Sequence, residues 1–330
     1  MGNLRHMKNK SIYILPAVVV AIVAIVAFCK ASGKSYQKDS GFVFGTSYNI
    51  TYESDKSLKD DITCVLDSVN NSLSPFNEKS IISDINNNKS VNVDRYFTEV
   101  FNLSKEVNKA TDGAFDITVA PLVNVWGFGF KEGKFPTAHE VDSLRALVGL
   151  NKVTLIDGKI QKEDPRIMLD CSAIAKGYAV DKVGEMLARH GVQNYLVEIG
   201  GEIVSRGMNS RGKEWKIGVT KPVDDSLSVN SENQTVVTVS NSAMATSGNY
   251  RNYYIKDGHK YAHTIDPKTG YPAENDMLSA TVFAKTCAEA DAYATGFMTM
   301  GSAKAKALAE KLGIKCYLIT NKGAFWVNEK

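Results

Sequence analysis

The chain has 330 residues, 44% apolar and 23% charged, a composition that excludes a disordered chain and allows a sizeable core. Its formal net charge of +3 misleads, because Arg5, Lys8, Lys10, Lys30, Lys34 and Lys38 lie in residues 1–38 with no acid among them. Residues 39–330 hold 33 basic and 36 acidic side chains, which excludes a general polyanion binder, so no nucleic-acid partner is expected.

In chain order, the first element is SIYILPAVVVAIVAIVAFC, Ser11 to Cys29, without a charge and preceded by basic residues. It is about long enough to span a hydrocarbon core of ~30 Å. The basic flank is expected to stay in the cytoplasm, with the rest exported. Three fates compete: an uncleaved anchor, cleavage near residues 31–33, or lipidation at Cys29. The expected organisation is a signal or anchor segment with linker over 1–38 and one domain over 39–330. The five cysteines, Cys29, Cys64, Cys171, Cys287 and Cys316, form no CxxC pair and no metal-ligand spacing.

Residues 42–53, FVFGTSYNITYE, alternate as a strand. Leu58, Ile62, Val65, Leu66, Val69 and Leu73 recur at helical spacing, so 57–73 is an amphipathic helix. A second helix covers 95–111 and stops at Asp112-Gly113. Residues 114–129 mix strand, Pro and Gly and are expected to be irregular. Thr137 and Glu140 form a capping box at the start of a helix over 137–148. KVTLIDGKIQ is a hairpin. DCSAIAKGYAVD (170–181) leads into a helix ended by Gly191, and NYLVEIGGEIVSRG is a strand broken by a double glycine. Further strands fall at WKIGVTKP, 234–248 and 278–285, with hairpins around Asp257-Gly258 and over 314–328 and helices over 287–300 and 302–312. Strands in hairpins with interspersed helices favour an α+β fold with largely antiparallel sheets. No GxGxxG or GxxxxGK[ST] occurs.

Several segments carry chemistry. In DCSAIAKGYAVD, small residues leave the backbone approachable, the helix N-terminal amides suit an anion, and Lys176 adds a charge. A plain N-cap with a solvated lysine explains that stretch equally well. Asp291 and Thr295, four apart in AEADAYATG, share a helix face, and a carboxylate with a hydroxyl suits a hard cation such as Mg²⁺. His263 in HTIDPKTGYP is a base, a flavin contact or a structural hydrogen-bonder. Phe115 and Asp116, side by side in DGAFDITV, can hold a flat heterocycle by stacking and hydrogen bonding.

Taken in order, FGTSY, SPFN, DGAFDITVAPLVNVWGFG, LDCSAIAKGYAVD, VEIGGE, WKIG, ATSGNYRN, YAHTIDPKTGYP and ADAYATG resemble the ApbE family of FAD:protein FMN transferases over about residues 42–301. The resemblance implies an α+β fold and an enzyme that uses FAD with Mg²⁺. It moves FMN to a Thr or Ser hydroxyl of an acceptor flavoprotein and releases AMP. Acceptors in the family include subunits of Na⁺-pumping NADH:quinone oxidoreductase and of Rnf complexes, at the outer face of the bacterial inner membrane. Carried over by motif, Phe44, Phe76, Ala114, Phe115, Asp116, Asp170, Lys176 and His263 are implied FAD contacts. The Ala173 carbonyl, Asp291 and Thr295 are implied metal ligands, and His263 is the implied base. Phe76 stands where many relatives have Tyr or Trp, which leaves stacking without a hydrogen bond. Two alternatives stay open: a Mg²⁺-dependent FAD pyrophosphatase and a non-catalytic exported flavin-binding lipoprotein.

Overall fold

The structure is a computed structural model that describes residues 35–131, 135–223, 232–250 and 252–329. The apolar segment 11–29 and Cys29 lie outside the described residues. Among those described, no helix is long and apolar enough to cross a membrane.

An eight-stranded sheet runs through the described residues in the order β1 (Tyr36–Val43), β2 (Thr46–Glu53), β5 (Tyr195–Ile199), β6 (Glu202–Arg206), β9 (Ser242–Gly248), β12 (Met277–Ala284), β13 (Lys315–Thr320), β14 (Gly323–Val327), and every pairing in it is antiparallel. Three two-stranded sheets pair β3 (Val153–Ile156) with β4 (Lys159–Lys162), β7 (Lys216–Thr220) with β8 (Asn233–Thr238) and β10 (Tyr253–Lys256) with β11 (His259–Ala262). The α+β class expected from the hairpin-rich sequence is therefore the class observed. β1 (Tyr36–Val43) and β2 (Thr46–Glu53) are joined by the two-residue turn Phe44-Gly45. The stretch read as one strand is thus the end of the first arm, the turn and the second arm of a hairpin. Its first arm starts at Tyr36, inside the stretch read as linker. Phe44 (φ 51°) and Gly45 (φ 74°) both take positive φ, as the turn that matches strand twist requires. Phenylalanine is rare there, and this is why the turn escaped the sequence pattern.

The double glycine likewise makes a hairpin. β5 (Tyr195–Ile199) turns through Gly200-Gly201 into β6 (Glu202–Arg206), both glycines at positive φ. The two turns lie side by side, since a Cβ on Gly200 would stand 2.8 Å from Thr46 Cγ2.

One face of the sheet carries the principal core. The described helices are α1 (Lys59–Leu73), α2 (Ile81–Asn86), α3 (Arg95–Ala110), α4 (Ala120–Val125), α5 (Ala138–Arg145), α6 (Ala175–Arg189), α7 (Cys287–Met300) and α8 (Ser302–Leu312), and all but α4 and α5 contribute buried residues to this core. The Thr137/Glu140 capping box is present at α5. α7 buries nearly its whole circumference, including Ala288, Ala290, Ala292, Ala294 and Phe297, so its small residues serve packing. The opposite sheet face is covered by the β7–β8 hairpin, through Val219 and Val237 against Ile203, Met244 and Phe283. A third cluster, Leu122, Trp126, Val141 and Ile265, ties α4 and α5 to the loop after β11 (His259–Ala262).

Candidate functional site

α6 and α7 meet at their N-terminal ends and cap each other. Asp181 of α6 accepts the Cys287 N–H (2.8 Å) and the Ala288 N–H (2.9 Å) at the start of α7. In return, Asp291 of α7 accepts the Gly177 N–H (3.1 Å) in the first turn of α6. Each carboxylate meets the positive end of the other helix. The approach is close because position 177 is glycine: a Cβ there would stand 2.7 Å from the Cys287 carbonyl carbon.

In DCSAIAKG two of the amides at the helix start are used inside the protein, Gly177 donating to Asp291 and Ala175 to the Cys171 carbonyl (2.8 Å). Ala173 lies one residue before the helix cap, and its carbonyl accepts no hydrogen bond among the described residues.

Lys176 projects into the same junction. Its Nζ is 3.2 Å from Glu202 Oε1 and 3.8 Å from Asp291 Oδ2. Burial opposes its charge, but the two carboxylates prevail and hold the ammonium above the ordinary lysine range. Both carboxyls are raised by burial, partly offset by Lys176. Asp291 is 2% exposed and Glu202 3%. One turn further along α7, Thr295 Oγ1 lies 3.3 Å from Ser247 Oγ, at the end of β9 (Ser242–Gly248). The structure therefore brings Lys176 and Asp291 together at one helix junction, with Ala173 just before the α6 cap and Thr295 on the α7 turn that follows.

Glu202 was not singled out in the sequence, and neither was Ser247. A signal for Glu202 was present: an acid directly after Gly-Gly, opening a strand whose next residues are Ile and Val. A surface strand has no need to begin on a carboxylate, whereas the turn buries this one.

His263 follows β11. Its Nδ1 lies 3.1 Å from the Asn252 carbonyl, which can only accept, so Nδ1 carries the hydrogen. In the neutral ring Nε2 then keeps its lone pair. Burial lowers the His263 pKa from the ordinary value, and the nearby Lys176 charge acts the same way against the Asn252 bond. The loop after it is pinned by Trp126 Nε1, which donates to the Gly270 carbonyl (2.9 Å) while its ring stacks on Tyr261. Phe128 stands edge-on to His263 with centroids 6.4 Å apart. The motif VNVWGFG thus builds the wall that carries His263.

The remaining expected contacts are placed differently. Phe115 is 1% exposed and belongs to the principal core, so its ring offers no face to a ligand. The Asp116 carboxylate accepts from Thr118 N–H (2.8 Å), Thr118 O–H (2.6 Å), Leu150 N–H (3.0 Å) and Asn108 Nδ2 (3.0 Å). Stacking and hydrogen bonding by this pair of side chains is therefore corrected: their groups are committed inside the protein. Ala114 is buried beside them. Asp170 is buried too, with its Oδ1 accepting the Ser172 N–H (2.8 Å) and its own N–H bound to the Ile117 carbonyl (2.8 Å). Phe44 is half-buried at the turn next to Gly200, and Phe76 is 65% exposed with its edge against Phe130.

Among the described residues no group of three or more His, Cys, Asp or Glu is gathered as for a metal. The expected ligand set does not need one, because it consists of one carboxylate, one hydroxyl and one carbonyl. These residues fit a hard divalent cation by donor chemistry: all are oxygens. Asp291 Oδ1 and the Ala173 carbonyl have no hydrogen-bond partner among the described residues. Glu202 Oε2 is buried nearby without one.

The model of the ApbE family matches residues 44–318. The chain is 38% identical over 313 residues to a protein of Vibrio cholerae named FAD:protein FMN transferase, covering 92% of each. It is equally 38% identical over 319 residues to the protein of that name from Haemophilus influenzae, covering 92% of this chain and 91% of the other. The solved flavin transferase ApbE from Vibrio cholerae superposes with a TM-score of 0.79 at 36% identity, over 89% of this chain and 96% of that one. The Pseudomonas stutzeri flavinyl transferase ApbE gives 0.80 at 30% identity, over 89% and 95%. The motif series and the antiparallel fold converge with these matches: the protein belongs to the ApbE family.

Proposed function

We propose that this chain is a Mg²⁺-dependent FAD:protein FMN transferase. It moves the FMN half of FAD to a Thr or Ser hydroxyl of an acceptor flavoprotein and releases AMP. The observation that carries the reading is the buried Lys176–Glu202–Asp291 cluster, in a family whose relatives bear that name. Two carboxyl groups surround one ammonium there and burial raises both carboxyl pKa values, so an incoming diphosphate meets no net positive charge and needs an added cation. Mg²⁺ held by Asp291, Thr295 and the Ala173 carbonyl would supply that neutralisation. Lys176 orients the diphosphate at the mouth of α6. His263 Nε2 accepts the proton of the acceptor hydroxyl. The hydroxyl oxygen bonds to the FMN phosphorus, and the phosphorus–oxygen bond to AMP breaks with its electrons leaving on AMP.

The apolar segment 11–29 with its basic flank supports export and attachment at the membrane, facing outward. Acceptor subunits of Na⁺-pumping NADH:quinone oxidoreductase or Rnf type fit that location. The direct test mixes residues 34–330 with FAD, Mg²⁺ and an acceptor domain bearing a Thr target. An FMN-sized mass increase on the acceptor together with free AMP, both lost on adding a chelator, is the expected result. AMP and free FMN without an adduct would identify a pyrophosphatase instead, and bound but intact FAD a passive flavin binder.

His263→Ala should slow transfer about 10²–10⁴-fold while changing FAD affinity little, as for loss of a general base. Single-turnover rates and FAD titration separate the two, and equal losses in both would make His263 a binding group only. The depressed pKa carries a sign: the ring stays neutral, and able to accept a proton, to a lower pH than an ordinary histidine. The wild-type rate should therefore fall at a lower pH than the ordinary histidine value of about 6.5 would give. Phe44→Asn should affect binding and folding unequally. Relief of positive φ, worth about 1 kcal/mol, offsets lost packing, so the unfolding midpoint should move only about 2–4 °C. Loss of a stacked ring should weaken FAD binding about tenfold. An unchanged FAD affinity would remove Phe44 from the site.

A further inference from the structure

Glu202 is the least explained side chain in the molecule. It is 3% exposed, it opens β6 directly after the Gly200-Gly201 turn, and its Oε2 has no partner. Burying a carboxylate with one bare oxygen is unfavourable, and a neutral residue of the same shape would be easier to fold around. Its other oxygen, Oε1, is within hydrogen-bonding distance of Lys176 Nζ at 3.2 Å, whereas Asp291 Oδ2 stands outside it at 3.8 Å. Oδ2 takes the Gly177 amide instead, and Oδ1 has no partner among the described residues.

We infer that Glu202 is a positioning residue that keeps Asp291 available to a divalent cation, by taking the hydrogen bond of the Lys176 ammonium in its place. Without Glu202, one carboxylate and one ammonium remain in a buried site. They would close into a direct, neutral pair, and nothing would then draw in a cation. With Glu202, the ammonium is committed elsewhere and Asp291 keeps an open oxygen. The bare Oε2 is a second carboxyl oxygen in the pocket, without a partner among the described residues. Glu202 thus acts through Lys176 and Asp291.

This inference rests on the metal-dependent reading above, and its test reads binding rather than turnover. The protein at saturating FAD is titrated with MgCl₂, and the rise of the thermal unfolding midpoint is followed. Wild type should show a saturable rise. Glu202→Gln keeps the shape and an acceptor for Lys176 but removes the charge. It should leave the Mg²⁺-free midpoint unchanged or higher, while the half-saturating Mg²⁺ concentration increases at least tenfold. Glu202→Asp, which restores the charge, should recover part of that affinity. An equal Mg²⁺ midpoint in Glu202→Gln, or no Mg²⁺ response in wild type, overturns the inference. So does a lowered Mg²⁺-free midpoint in Glu202→Gln with unaltered Mg²⁺ response, which marks a structural role. Wild-type protein that responds to Mg²⁺ as described yet transfers no FMN would sink the proposed function and leave the role of Glu202 standing.

Discussion

Asp291→Ala is expected to abolish metal-dependent FMN transfer, with a rate loss of at least about 10²–10³-fold, the scale for removing one electrostatic stabiliser. The loss has two separable parts. The first is structural: the Gly177 amide, inside the α6–α7 junction, loses its acceptor, and an unsatisfied buried N–H costs about 1–3 kcal/mol. The second is electrostatic: Lys176 is left with Glu202 alone, and the pocket loses the carboxylate proposed to hold the cation. Asp291→Asn distinguishes them. It retains an oxygen for Gly177 and nearly the same volume, so its unfolding midpoint should stay close to wild type while transfer is still lost. The check is the mass of the flavinylated acceptor across a Mg²⁺ series, beside a thermal melt of each variant. Full transfer by Asp291→Asn would end the metal assignment.

The second large effect concerns a residue with no functional group. Gly177→Ala should lower stability by about 3 kcal/mol, at the upper end for overpacking, because the added methyl meets main chain. Its Cβ would stand 2.7 Å from the Cys287 carbonyl carbon and 2.9 Å from the Ala288 nitrogen, and neither can rotate away. At roughly 2–4 °C per kcal/mol the unfolding midpoint should fall about 6–12 °C. Relief requires α6 and α7 to move apart, and a shift near 1 Å between Lys176 and Asp291 should slow transfer about 10²-fold. Gly184→Ala, in the same helix, is the control. Its Cβ meets only side chains, Val204 Cγ1 at 3.0 Å and Tyr195 at 3.4 Å, which can adjust. Alanine gains about 1 kcal/mol of helix propensity at either position, so the control should stay within about 1 kcal/mol of wild type. Equal behaviour of the two variants would show that helix approach does not govern the site.

Much of the fold was legible because local pattern and tertiary environment agree. The spacing of Leu58 to Leu73 matches α1, and the Thr137/Glu140 box matches the cap of α5. Asp157-Gly158 and Asp257-Gly258 turn as hairpins where the dipeptide predicts. The misreadings fall where a turn lacks its usual residue. Phe44-Gly45 hid a hairpin because an aromatic residue occupies a left-handed position, and Tyr36–Lys38 looked like linker because an edge strand needs few apolar residues. Around the site, Asp291, Thr295 and Lys176 were legible as residue types in motif. Phe115 and Asp116 were misread because adjacency in sequence does not say which side chain is buried: a hydrophobic core takes the ring, and four internal donors take the carboxylate.

By itself, then, the sequence determined the α+β class, most helices and hairpins, the family resemblance and the apolar N-terminal segment. These follow from periodicity, capping chemistry and motif order, all short-range along the chain. Only the tertiary structure decided that Asp291 and Asp181 cap each other's helices, that the Asn252 carbonyl fixes the tautomer of His263, and that Glu202 shares Lys176 with Asp291. Lys176 and Asp291 lie far apart in the chain and meet only because Gly177 lets two helices touch main chain to main chain. Electrostatic coupling depends on distance and burial in space, and no local pattern encodes either.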